Sequence, residues 1–177
     1  MGRNYNKSDR TSVGRTPNQW TIRAYAKPGD IGYLTYLHGT IYAKEYGYDQ
    51  TFEAYVAKGL TEFVETFNPD TDRLWLAEIH GHIIGSIAIV RQSNRTAQLR
   101  WFLVHPTYRG QGIGKHLLSK ALRFCKQKKY KTVSLWTTSD LRVAHHLYTE
   151  AGFKKIEDMA HERWGKKIIE ERYDLRL

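Results

Sequence analysis

Residues 103–115 read Leu103-Val104-His105-Pro106-Thr107-Tyr108-Arg109-Gly110-Gln111-Gly112-Ile113-Gly114-Lys115. Three alternating glycines separate an apolar, strand-like run from a segment with helical spacing. Glycine lets a backbone turn tightly and bring its N–H groups against a ligand. A helix that begins at such a turn adds the positive end of its dipole. The combination makes an anion site, although glycines alone are equally the composition of a plain strand-to-helix turn. Two familiar phosphate loops fail here on spacing. A Walker loop needs glycine where Arg109 stands and Ser or Thr where His116 stands. A dinucleotide fingerprint counted from Gly110 needs glycine at Lys115.

Working outward, residues 97–104 form the strand that enters this turn. They follow two further strands, 74–79 and 83–90, around the turn His80-Gly81-His82, so the strand belongs to a meander. Upstream, Asp30 can cap a helix that runs to about Tyr46. A second helix follows Asp49. Its apolar residues Phe52, Tyr55, Val56, Leu60, Phe63, Val64 and Phe67 recur every three to four positions, and Asn68-Pro69-Asp70 ends it. A short strand, 20–26, with Trp20, Ile22, Ala24 and Ala26 on one face, comes first and is broken by Pro28-Gly29. Downstream, a helix from about 112 to 126 turns Ile113, Leu117, Leu118, Ala121, Leu122 and Cys125 inward. A strand at 132–136, a helix at 140–151 closed by Gly152 and two strands within 153–177 complete the chain. This order describes a mixed α/β fold around one central sheet, a single domain over residues 19–177. Residues 1–18 are polar and aperiodic and are expected to be a flexible extension.

The 177 residues are 41% hydrophobic and 13% aromatic, a globular balance. The one cysteine, Cys125, allows no intramolecular disulfide, and no apolar run approaches the ~18 residues of a membrane span. A cytoplasmic protein without a membrane partner is the simplest reading. The net charge of +10 attracts polyanions, among which a phosphorylated cofactor counts as well as nucleic acid. The densest basic run, Lys126 to Lys131, falls at a helix end where it complements the dipole. No nucleic-acid signature accompanies it, so no nucleic-acid partner is expected. The histidine pairs His80/His82 and His145/His146 lack a third ligand at recognised spacing, and no metal is expected.

Arg109-Gly110-Gln111-Gly112-Ile113-Gly114 resembles the pyrophosphate loop of the GNAT superfamily of N-acetyltransferases, Arg/Gln-x-x-Gly-x-Gly/Ala. Residues 102–108 follow that family's preceding strand in variant form. Ala144-His145-His146-Leu147-Tyr148-Thr149-Glu150-Ala151-Gly152-Phe153 is similar to its Ala-x-x-Leu-Tyr-x-x-x-Gly-Phe ending. The resemblance covers residues 20–177. Within it, residues 38–47 look like the acetyltransferase half of bacterial two-domain proteins with a MarR-type DNA-binding half in front. Where the family often has Asn before the second motif, this chain has Leu141.

The resemblance implies acetyl-CoA as co-substrate, lying in a splay between the strand ending at Val104 and the strand ending near Trp136. Backbone groups of Leu103 and Val104 would hold the pantetheine and thioester, and the loop from Arg109, Gly110, Gln111, Gly112, Ile113 and Gly114 to Lys115 the pyrophosphate. The acceptor would be an amine, on a small molecule or a peptide. Tyr148 stands at the family's general-acid position. For the proton acceptor the candidates are Glu45 and His105. A free α-amine, about one tenth neutral at pH 7, needs neither. A non-catalytic acyl-CoA-binding module is the alternative function, and a homodimer is compatible with either.

Overall fold

The computed structural model describes residues 20–177; the extension expected at 1–18 lies outside them. Along the chain run β1 (Thr21–Arg23), α1 (Asp30–Tyr46), α2 (Gln50–Glu65), β2 (Arg73–Ile79), β3 (His82–Arg91), β4 (Thr96–Val104), a 3₁₀ turn (Pro106–Tyr108), α3 (Ile113–Gln127), β5 (Thr132–Thr138), α4 (Arg142–Glu150), β6 (Lys154–Arg163) and β7 (Lys166–Arg176). The strands make one sheet in the order β1-β2-β3-β4-β5-β7-β6. Among the described residues only β4 and β5 pair in parallel. The fold is therefore a mixed α/β one, with helices on both faces of the sheet. No helix among the described residues is long and apolar enough to cross a membrane.

Covering both faces explains why β2 and β3 read as nearly continuous apolar runs. Leu74 and Leu76 of β2 meet Leu34, Phe52, Val56 and Leu60 of α1 and α2. Trp75 and Ala77 point the other way, toward Ile113, Leu117, Ala121 and Cys125 of α3. Leu34, Leu60, Leu76 and Leu117 are completely buried, each adding about 1.5–3 kcal/mol of transfer free energy. Two helix faces differ from the sequence reading. On α2 the sheet takes only the stripe Phe52, Val56, Gly59, Leu60 and Phe63; Tyr55 and Val64 flank it in solvent, and Phe67 is exposed beyond the helix end. On α3 Phe124 is buried, while Leu122 is only partly so, because Phe124 meets Trp75 edge-on at 5.5 Å. β1 is also shorter than expected. Arg23 turns from it to pair with both Asp30 and Glu78.

One irregularity positions the site. β4 and β5 pair from Thr96↔Thr132 to Leu99↔Leu135 and then part. β4 continues against β3 as far as Gly85↔Val104, and β5 continues against β7 as far as Thr138↔Glu170. At Trp101 the chain takes φ 47°, opposite a register shift between Ser86 and Ala88. The buried Ser86 hydroxyl donates to the Trp101 carbonyl at 2.6 Å. Such a bulge bends its strand, and it carries the end of β4 away from β5. A wedge opens in the middle of the sheet, with the β5-facing backbone of β4 beyond Leu99 left outside the ladder.

Candidate active site

The wedge opens on a cavity of about 720 Å³. Phe102, Leu103 and Val104 form its sheet side, and the loop and first turn of α3 its floor. Leu141 to Ala144 at the start of α4 and Tyr42 and Tyr46 of α1 enclose the rest. Gly110 and Gly112 have φ 77° and 79°. A Cβ at Gly110 would meet nothing within 4 Å, and one at Gly112 only His116 Nδ1 at 3.8 Å. Backbone conformation, rather than crowding, therefore asks for glycine here. Gly112 is the N-cap of α3 and supplies no side-chain cap. The first-turn N–H groups of Ile113, Gly114 and Lys115 consequently have no acceptor within the helix. They stand where residues Gly112 to Lys115 line the cavity, an arrangement suited to a phosphate group.

Arg109 braces this loop. Its Nε–H donates to the Val104 carbonyl at 3.0 Å, and Nη1 and Nη2 donate to Glu45 Oε1 and Oε2, both at 2.9 Å. Loop, strand end and helix α1 are thereby tied together. Leu103, Val104, Arg109, Gly110, Gly112, Ile113, Gly114 and Lys115 all line the cavity; Gln111 does not. Glu45 lines neither this cavity nor the next one, and its carboxylate is engaged by Arg109. His105 caps the 3₁₀ turn through Nδ1, which accepts from the Thr107 N–H.

A second cavity, about 110 Å³, lies on the α1–α2 side, and Tyr42, Phe102 and Leu141 line both. Tyr148 faces this second space, 5% exposed, its ring against Phe102 and Phe153. Burial raises the Tyr148 phenol well above its ordinary value, so the hydroxyl keeps its proton across the working range. Burial raises Tyr42 in the same way. The aromatic residues around α1 divide: Tyr48 is core, Tyr33 and Tyr36 are exposed, and Tyr42 and Tyr46 line the larger cavity. Sequence reasoning missed the joint position of Tyr42, Phe102 and Leu141, and it missed His38 and Arg100 on the wall of the second cavity. The four-residue spacing of His38 and Tyr42 on one helix was the available signal. His145 Nε2 sits 3.0 Å from the Thr138 carbonyl and 3.3 Å from Glu171. Among the described residues no three metal-ligating side chains converge.

Comparison with known proteins bears on the fold and the family. N-acetylaspartate synthetase of Danio rerio is 33% identical over 89 residues, 50% of this chain but only 32% of that protein. A GNAT-family acetyltransferase from Staphylococcus aureus Mu50 superposes with a TM-score of 0.74 at 23% identity, covering 90% of this chain and 99% of that one. The yncA protein of Salmonella typhimurium, solved with acetyl-CoA, superposes with a TM-score of 0.72 at 18% identity, over 89% of this chain and 94% of its own. These two likenesses are of fold. The sequence model of the acetyltransferase (GNAT) family matches residues 39–153, from α1 through the glycine loop to Phe153. The chain belongs to the acetyltransferase (GNAT) family.

Proposed function

We propose that the protein transfers an acetyl group from acetyl-CoA to a primary amine, borne by a small molecule or a peptide. The observation that carries this reading is the meeting of two cavities at Tyr42, Phe102 and Leu141, one with a glycine loop at a helix N-terminus and the other with a protonated phenol. The loop from Gly110 to Lys115 would hold the pyrophosphate. The β5-facing backbone of β4 beyond Leu99 would hold the pantetheine, and an N–H there would stabilise the carbonyl oxygen as it gains charge. The amine nitrogen bonds to the thioester carbon, the C–S bond breaks, and the thiolate takes the Tyr148 proton. The surplus proton of the amine leaves to water, and Tyr148 is reprotonated from solvent.

One observation favours a second reading, a regulatory acyl-CoA-binding module. Glu45 is paired with Arg109, and Glu170, the one carboxylate among the described residues on the wall of the second cavity, has Arg163 at 3.4 Å. The likeness of residues 38–47 to MarR-type two-domain proteins fits that reading too. A panel of amines with acetyl-CoA, read by thiol release, beside calorimetry of CoA binding, separates the two. Thiol release with at least one amine supports the transferase; CoA affinity with no release across the panel supports the module.

A further inference from the structure

The wall of the second cavity carries polar groups with no partner. Arg100 comes from β4 and is half-buried. Its guanidinium lies 4.4 Å from the Trp101 ring centroid and has no carboxylate within 4 Å among the described residues. Gly59 of α2 makes room for it: a Cβ there would stand 2.8 Å from Arg100 Nη2. Glycine weakens a helix interior, so α2 gives up stability at the point where the guanidinium enters. His38, 3% exposed, donates its Nδ1–H to the Leu34 carbonyl at 2.8 Å. Nε2 is then a bare lone pair, without a partner. Burial pushes the His38 imidazole down to about 4, which keeps that lone pair free at neutral pH. Thr137 Oγ1, on the same wall, is also unpartnered. These are two of the three buried side-chain polar atoms left without a hydrogen bond among the described residues. Their convergence on one cavity points to a ligand that completes them. The acid on this wall, Glu170, has the Arg163 guanidinium at 3.4 Å, whereas Arg100 has no carboxylate partner among the described residues.

We propose that this cavity binds an acceptor amine that also carries a carboxylate, with the carboxylate paired to Arg100 and an N–H of the same molecule donated to His38 Nε2. The proposal rests on the N-acetyltransferase reading for the identity of the occupant. Arginine suits planar, two-pronged recognition of a carboxylate, where lysine offers a point charge. Trp101, Trp136 and Trp164 on the walls suit an apolar or aromatic body. Arg100 precedes Phe102, where the cavities meet, by two residues, roughly 7 Å of strand. A dipeptide covers about that span between its amine and its carboxylate, whereas in a single α-amino acid the two groups share one carbon.

The test uses glycyl-L-phenylalanine and L-alanyl-L-phenylalanine, each beside its C-terminal amide, titrated by calorimetry into the CoA-bound protein. The acids should bind at least about tenfold more tightly than the amides. Arg100→Gln should abolish that difference with acetyl-CoA affinity unchanged, and Arg100→Lys should restore part of it. Equal binding of acid and amide by the wild type, equal loss of both in Arg100→Gln, or no binding of either acid overturns the proposal. Thiol release is measured separately, as the ratio of wild type to variant for each amine, which cancels the amine's own basicity. Carboxylate-dependent binding with no acetylation of any amine supports the pocket and overturns the transferase reading. Acetylation with no difference between acid and amide overturns the pocket and upholds the transferase.

Discussion

Arg109 and Glu45, 64 positions apart in the chain, meet in a two-pronged ion pair with both contacts at 2.9 Å. The same guanidinium donates to the Val104 carbonyl. Both Glu45 oxygens therefore serve to hold Arg109, and through it the glycine loop. Glu45→Gln should leave kcat within about threefold and change stability by under about 1 kcal/mol, as expected of a part-exposed pair. Arg109→Gln should raise the acetyl-CoA dissociation constant by about tenfold or more. Steady-state kinetics with calorimetry reads both. A hundredfold fall in kcat in Glu45→Gln at unchanged acetyl-CoA affinity would instead make Glu45 the proton acceptor.

Gly112 stands at φ 79°, and a Cβ there would meet only His116 Nδ1, at 3.8 Å. A substitution there is strained in the backbone by about 1–2 kcal/mol, and a β-branched one more so. Gly112→Val should lower the melting temperature by a few degrees and weaken acetyl-CoA binding by about tenfold or more, because the N-terminal turn of α3 can no longer present its N–H groups. A folded Gly112→Val protein with wild-type affinity would remove the anion site from this loop.

Periodicity and spacing alone located α1 to α4, the order of the strands and the loop, since each rests on residues near one another in sequence. The wedge is foreseen only through the family resemblance, as a splay between the strands ending at Val104 and near Trp136; local pattern does not show it. It depends on Trp101 at φ 47°, a conformation no local signal asks of tryptophan, and on Ser86, fifteen positions away, which bonds its carbonyl. Gly59 read alone is only a helix glycine; its meaning comes from Arg100, on a strand beyond two others. Glu45 was a candidate base by its place at the end of α1; that Arg109 engages both its oxygens is a contact across 64 positions. Contacts between distant elements carry these properties, and the hydrophobic pattern that reveals the elements does not encode them.

Arg23 bonds both oxygens of Asp30 at 2.7 and 2.8 Å and Glu78 at 2.8 Å, with side chains largely buried. Burial alone would raise the Asp30 carboxyl, but the Arg23 bonds and the Lys27 N–H override it and hold it below its ordinary value. A carboxylate depressed in the folded state contributes stability above its unfolded pKa, about 3.9, and loses it as pH falls through the folded value. Urea midpoints should therefore drop on acidification below about pH 4, and Asp30→Asn should be less stable at pH 7 with a shallower acid dependence. Identical acid limbs in the two proteins would show that the clamp has no part in acid stability.

Tyr148 is the residue on which the proposed chemistry turns. It leaves α4 one turn after Ala144, which lines the larger cavity, and reaches the second one beside Phe102. No described residue hydrogen-bonds its hydroxyl within the helix–sheet packing around it, and burial keeps the phenol protonated. Phenylalanine preserves the ring contacts with Phe102, Phe153 and Tyr173 and deletes only the donor. Tyr148→Phe should then fold normally and bind acetyl-CoA as the wild type does, while turnover falls by about 10²–10⁴, the usual contribution of one general acid. Tyr42, also protonated and lining both cavities, is the internal control: Tyr42→Phe should lose less than about tenfold if Tyr148 is the donor. Full activity in Tyr148→Phe with a large loss in Tyr42→Phe would transfer the role to Tyr42. Loss of acetyl-CoA affinity together with turnover in Tyr148→Phe would make Tyr148 a binding contact and leave the thiolate to be protonated by water.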